Sequence, residues 1–405
     1  MRRLAFWVSV AMVFTLPFEN IIDTPPLGRI SRVAGLAAAA VWLPAVLTTG
    51  RFRSPKPFHA LFFAFVLWNG LSAFWSVDVP ATVGRFITYA QLLLMVYILW
   101  DTIATRVDLA HVLQAYVLGS WVTVLSVFHG YLFTPPAQYQ IRFGAGSFQL
   151  DDIGLILALG IPVAWYLAMN PPEGRWSRWL RLVNLLHVPA AVVAIMLTGS
   201  RAALVAVVPA LVFMAMSLRE LDRNRRWATI GAVVALFLLL RPLVPTETLA
   251  RLESSGSQAA GGDLNGRVEL WRAAFLTFEQ HPFTGVGSAA FRETESNKVA
   301  HDLFFRLVAE LGLVGLALVA ALVLTAFVSG WRHRGMLRGL WTSVLTAWLI
   351  GATFYNLEDK KQTWVFLSLA VVSARLPAPV SRRREPDLRV GVAPAVRVRV
   401  PEGAR

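Results

Sequence analysis

His301 and a small set of arginines are the residues of this 405-residue chain whose types and positions suit chemistry. His301 stands where a long polar segment gives way to an apolar run, so it begins a helix. A helix N-terminus disfavours imidazolium and keeps the ring neutral. A neutral imidazole near a surface accepts a proton at physiological pH. The competing reading is a histidine that only caps or packs. Arg201 belongs to Thr198-Gly199-Ser200-Arg201, which joins two apolar runs with almost no loop. Ser200 is a natural N-cap for the second run. An arginine on a positive helix end is unfavourable by itself, so an anion bound there relieves the repulsion. The alternative is an arginine that snorkels to the headgroup level. Arg267, just after Gly266, repeats the arrangement and the alternative. Arg85, Arg142 and Arg241 lie near the ends of apolar runs on the same side. Several guanidinium groups around one surface suit a diphosphate, which they bind bidentately.

The remaining charged positions suggest less. Asp302, Arg306 and Glu310 share one helix face at a spacing of four and read first as an ion-pair ladder. Asp151-Asp152 and the cluster Glu358-Asp359-Lys360-Lys361 have no partners at metal-site spacing, so no metal is expected. There are no cysteines, which removes disulfides, thiol nucleophiles and Cys-ligated metals. No P-loop or Gly-rich dinucleotide turn appears, so no nucleotide cofactor is expected. An activated donor, if used, is then membrane-borne.

The elements that must carry these residues are membrane helices. Hydrophobic residues make up 56% of the chain and charged ones 15%, against about 25% charged in ordinary soluble domains. The apolar residues fall in runs long enough to cross a bilayer. The spans predicted are 4–18, 32–48, 58–76, 84–101, 108–132, 152–169, 182–199, 201–218, 228–245, 303–329, 338–356 and 362–375. The fold class expected is all-α: a polytopic integral membrane protein of about twelve helices with one long, helical extramembrane loop. The net charge of +14 would suggest nucleic acid in a soluble protein. Here about 24 of the 38 basic residues fall on one side of the spans, the cytoplasmic pattern. Both termini are therefore expected inside, and no nucleic-acid partner is expected. Met1-Arg2-Arg3 and the apolar run after it are read as a retained first span, since no small-residue cleavage site follows.

Four segments follow from this pattern. Residues 1–245 hold nine spans, 246–302 form the long outer loop, 303–375 hold three spans, and 376–405 are a basic tail without periodicity, expected to be disordered and to meet anionic lipid. Within the loop, Trp271, Ala274, Phe275 and Phe278 share one face of a helix from about Arg267 to Gln280. That amphipathic helix suits the membrane interface. His281-Pro282 stops it, and Gly285-Val286-Gly287 makes a tight turn.

Three motifs then occur in order. They are Thr198-Gly199-Ser200-Arg201-Ala202-Ala203; Gly266-Arg267 with Leu270-Trp271 and His281-Pro282-Phe283-Thr284-Gly285-Val286-Gly287; and Ala300-His301-Asp302 with Ala309-Glu310-Leu311-Gly312-Leu313-Val314-Gly315. Together they resemble the O-antigen ligase and polymerase superfamily over about 195–316. The resemblance implies an inverting, metal-independent glycosyltransferase of the bacterial inner membrane, working at the periplasmic face. Its implied substrates are O-antigen polysaccharide on undecaprenyl diphosphate and a sugar hydroxyl of lipid A–core oligosaccharide, in lipopolysaccharide biosynthesis. Arg201 and Arg267 would then neutralise the diphosphate and His301 would act as general base. Asp302 departs from the pattern, where many relatives have Asn. An O-antigen polymerase and a protein O-oligosaccharyltransferase are the related alternatives. A lipid or polysaccharide transporter is the alternative of another class.

Overall fold

Proline, glycine and acidic caps divide the chain into helices, and the apolar runs between them supply their length. The computed structural model describes residues 1–24, 28–133, 142–144, 149–171, 174–246, 248, 250, 267–291 and 302–377. Among them are thirteen α-helices. The first six are α1 (Arg2–Thr15), α2 (Ile30–Thr49), α3 (Pro57–Leu71), α4 (Val79–Thr102), α5 (Arg106–Phe133) and α6 (Leu150–Met169). Then come α7 (Ser177–Thr198), α8 (Arg201–Leu218), α9 (Arg223–Leu240), α10 (Arg267–Gln280), α11 (Leu303–Trp331), α12 (Gly335–Ala352) and α13 (Lys361–Ser373). A two-residue antiparallel pairing of Asp23–Thr24 with Gly28–Arg29 is the β-structure among the described residues.

Local chemistry sets many of the boundaries. The Asp78 carboxylate accepts from the N–H of Ala81 at 3.0 Å and starts α4, and Asp222 does the same for α9 through Arg225 at 3.0 Å. Asp302 opens α11 by accepting from the N–H groups of Phe304 and Phe305, at 2.8 and 3.1 Å. These caps satisfy donors that no intrahelical carbonyl reaches. Gly199 ends α7 in the left-handed region, at φ 61°, where a side chain would be strained.

Nine of these helices are long and apolar enough to cross a membrane: α2 to α9, α3 and α9 each with the short helical turn that follows, and α11. Each of the other predicted spans also holds a helix. However, α1 has 14 residues and α13 has 13, about 20 Å each at 1.5 Å per residue, against a hydrocarbon core of about 30 Å. The architecture is an all-α polytopic membrane protein.

α6 is the central post. Fifteen of its residues, from Ile153 to Ala168, are buried, and it packs against α5, α7, α8 and α12. α9 is its opposite, with Thr229 its one buried residue. Several polar groups in the core are paired across helices, which offsets the cost of burying them. Gln114 and Asn184 exchange two hydrogen bonds of 3.0 and 2.9 Å, and His187 Nε2 meets Ser120 Oγ at 2.9 Å. The ends of the bundle differ. At the N-terminal end Arg2 pairs with Asp101 at 3.1 Å and Arg3 with Asp108 at 3.2 Å. The opposite end gathers the α7–α8 turn, the start of α11 and the residues between α12 and α13.

Candidate active site

The segment 281–291 is fastened to a break in α11. Gly312 has φ 64° and ψ −164°, which interrupts the helix. The carbonyls of Ala309 and Glu310 accept instead from the N–H groups of Val286 and Gly287, both at 3.0 Å, and the N–H of Leu313 donates to Pro282 at 2.9 Å. A Cβ on Gly285 would meet the backbone of Glu310, and one on Gly312 would meet the backbone of Phe283. Glycine here permits contact between two backbones as well as the positive φ. The other side of the segment is held by the α3–α4 connection. Trp75 Nε1 donates to the Thr284 carbonyl at 3.2 Å, Thr82 Oγ1 to the Ser288 carbonyl at 2.7 Å, and Ser288 Oγ to Asn69 Oδ1 at 2.6 Å. Glu310 Oε2 accepts from the N–H of Ala289 at 2.7 Å. The His-Pro-Phe-Thr-Gly-Val-Gly motif is thus a strap locked between α3, α4 and α11.

Arg201 and Arg142 come together at the α7–α8 turn. Arg201 is the first residue of α8. The N–H of Phe143 donates to the Leu197 carbonyl at 3.0 Å, and Arg142 Nε donates to Thr198 at 2.8 Å. That lays the Arg142 side chain over Gly199, where a Cβ would lie 3.2 Å from its Cγ. Arg142 also pairs with Asp151 at 2.7 Å. Ser200 is buried, and its hydroxyl meets the Tyr355 hydroxyl at 2.7 Å. The turn is therefore anchored to the α12–α13 connection.

Arg85 has a different setting. Its Nη1 lies 2.8 Å from Asp359 and 3.4 Å from Glu358. Glu358 is shared with Arg306, whose Nη1 is 2.6 Å away and whose Nε holds Glu310 at 2.8 Å. The series continues through Lys360 to Asp152 at 2.6 Å and Lys361 to Glu19 at 2.5 Å. Burial alone would raise both carboxyls of the 358–359 pair. Arg85 and Arg306 outweigh it at Asp359 and hold that group below its ordinary value, whereas Glu358 stays above its own despite Arg306. The guanidinium of Arg85, expected near a diphosphate, is thus already engaged by two carboxylates. The predicted ladder is present as the pair Arg306–Glu310, with Asp302 serving as helix cap.

His301 lies outside the described residues, and so does the side chain of Arg267, although Arg267 opens α10 as predicted. α10 packs on α11: Trp271 stacks on Phe305 with centroids 5.4 Å apart at 13°, and Ala274, Phe291 and Ala309 form a small core. The helix expected to lie in the interface thus spends its Trp271–Ala274 stripe on α11. It leaves Phe275 and Leu276 about half exposed.

Sequence reading passed over Tyr355, Ser288 and the pairing role of Glu358-Asp359-Lys360-Lys361. Four charges in a row beside a span end were the available signal. Their partners lie on α4, α6 and α11 and, for Lys361, at Glu19 after α1, all far away in sequence.

Residues 188–320 match the model of the family described as O-antigen ligase. The chain is also 24% identical over 328 residues to the exopolysaccharide production protein ExoQ of Rhizobium meliloti (strain 1021), covering 74% of this chain and 72% of that protein. The resemblance to the O-antigen ligase and polymerase superfamily is thereby borne out. At a coarse level the likeness supports a membrane-embedded polysaccharide transferase of the ligase or polymerase type.

Proposed function

We propose that the chain is an O-antigen ligase of the bacterial inner membrane, with both termini cytoplasmic and the site end periplasmic. The observation that carries the reading is that the α7–α8 turn, the start of α11 and the 281–291 strap are tied together at one end of the bundle, through Ser200–Tyr355, Glu358–Arg306 and the hydrogen bonds of the strap to α11. All three elements lie within the residues matched by the family. In this reading 246–302 is the periplasmic segment and twelve helices cross the membrane.

The donor is polysaccharide on undecaprenyl diphosphate, and the acceptor is a sugar hydroxyl of lipid A–core oligosaccharide. The acceptor oxygen attacks the anomeric carbon from the face opposite the diphosphate. The new C–O bond forms as the bond to the diphosphate oxygen breaks, which inverts the configuration. The electron pair leaves on the diphosphate, where Arg201, Arg267 and Arg142 stabilise the charge. His301 takes the proton of the acceptor hydroxyl. Arg85, engaged with Asp359 and Glu358, belongs in this proposal to the frame that holds α4 against the α12–α13 connection.

The likeness to an exopolysaccharide production protein favours one second reading, a polymerase whose acceptor is another lipid-linked glycan. A deletion strain separates the two. Core lipopolysaccharide lacking O-antigen, with long polymer accumulating on the carrier, is the ligase outcome. Core bearing a single repeat, with no long polymer, is the polymerase outcome. An unchanged lipopolysaccharide gel removes both.

A further inference from the structure

A cavity of about 720 Å³ lies away from the Arg201 turn, between α1, α2 and α4. Its walls are two facing helical stripes. Arg32, Gly35 and Ala39 come from α2, and Gly84, Thr88 and Gln91 from α4. Each stripe has the spacing of a single helix face, yet the two do not close on each other. Gly84 has nothing within 4 Å of where its Cβ would stand. Apolar side chains, Leu36 at 51% and Ile87 at 48% exposure, border the opening.

The end of the groove nearest the charged series is cationic. Arg29, Arg32, Lys360 and Lys361 line it with Glu19 and Asp359; Lys361 is engaged by Glu19 and Lys360 by Asp152, so the surplus lies with Arg29 and Arg32. Arg29 is exposed and reaches Glu19 only at 4.0 Å. An apolar slot with a surplus of positive charge at one end is complementary to a lipid with a phosphorylated headgroup. Thr88 and Gln91 add hydrogen-bonding groups on the α4 wall, Gln91 six residues or about 9 Å below Arg85. Polar side chains facing hydrocarbon alone are costly. Lipid A carries amide and ester carbonyls just beneath its phosphates, which such groups can hydrogen-bond.

We propose that this groove seats the phosphorylated lipid anchor of the acceptor, lipid A, with its phosphates against Arg29 and Arg32 and its first acyl segments between α2 and α4. The proposal rests on the ligase reading, which needs two lipid-borne substrates. Their headgroups then meet at one end of the bundle from two lateral positions, the donor at the α6–α8 side and the acceptor at the α1–α4 side.

The test uses the full chain in phosphatidylcholine nanodiscs, titrated with lipid A and read by native mass spectrometry. Gly84→Trp fills the slot and Arg32→Glu reverses the charge at its mouth. Each should weaken lipid A retention about tenfold with an unchanged melting temperature, while Arg201→Ala retains lipid A as the wild type does. Wild-type retention in both groove variants would overturn the proposal. So would displacement of lipid A by an equal concentration of phosphatidylglycerol, which would make the groove a general anionic-lipid seat. Normal glycan transfer with lipid A held elsewhere removes the groove and keeps the ligase reading. Lipid A held in the groove of a protein that transfers no glycan to it removes the ligase reading.

Discussion

Gly285 and Gly312 lie on two sides of one seam, at φ 63° and 64°, each close to the backbone that the other's neighbours present. A methyl group at either position adds strain at positive φ and a clash with a carbonyl. Gly285→Ala and Gly312→Ala should each cost at least about 1–3 kcal/mol, read as a lower melting temperature in detergent. Because they open the same seam, the double variant should lose less than the two losses added. Simple additivity would mean that the strap and the α11 break are energetically separate.

Arg306 is the point at which Glu310 and Glu358 are both neutralised. Arg306→Ala leaves two buried carboxylates without their shared cation, and breaking a buried pair in this way costs roughly 3–5 kcal/mol. Folded protein should fall sharply in membrane extracts. Arg306→Lys restores the charge without the two-sided geometry and should recover only part of the yield. Full yield from the alanine variant would show that the pair carries no structural weight.

Transfer should depend on His301 and Arg201 without the fold doing so. His301→Ala is expected to abolish O-antigen attachment at normal protein level and membrane insertion. Arg201→Ala should lower the transfer rate by about 10²–10³, the scale of losing one donor to a developing oxyanion. Undiminished transfer in the His301→Ala protein would take that residue out of the mechanism.

At the other end of the bundle, His333 is set between α11 and α12, with Nε2 at 2.9 Å from Ser373 Oγ. Burial, and then the nearby Arg106, lower its pKa below the ordinary value. The unfolded chain therefore takes up this proton first as pH falls. The contribution to stability is complete above the unfolded value of about 6.5 and declines below it toward the folded one. Melting temperatures at pH 5 and pH 8 should differ less for His333→Gln than for the wild type. Equal differences would exclude His333 as a source of the pH dependence.

Much of the scaffold was legible because a membrane helix is written as an uninterrupted apolar run. The span predicted at 201–218 coincides with α8, and 303–329 falls within α11. The Arg-bearing turn was readable as well, since Gly199 and Ser200 are chemically suited to end one helix and begin the next. Less legible was anything decided by a distant partner. Gly312 sits in a run that continues as helix by composition, and only the strap 200 or more residues from Trp75 and Ser72 shows why it breaks. The engagement of Arg85 depends on Asp359, and no spacing rule connects α4 to the segment before α13. The face that α10 buries is set by Phe305, which a helical pattern within 267–280 cannot disclose.

The break in α11 also changes how deep its charges lie. Counted from Leu313 to Trp331, the continuous lower part rises about 28 Å at 1.5 Å per residue, close to the full thickness of a bilayer's oil. The nine residues of α11 before Gly312 would then stand outside the oil as a pillar. Arg306 and Glu310, which read along the sequence as ions sunk in the membrane, would project above it. There they would be shielded by protein instead of oil, both buried, with Glu310 tied to the 281–291 strap through the N–H of Ala289.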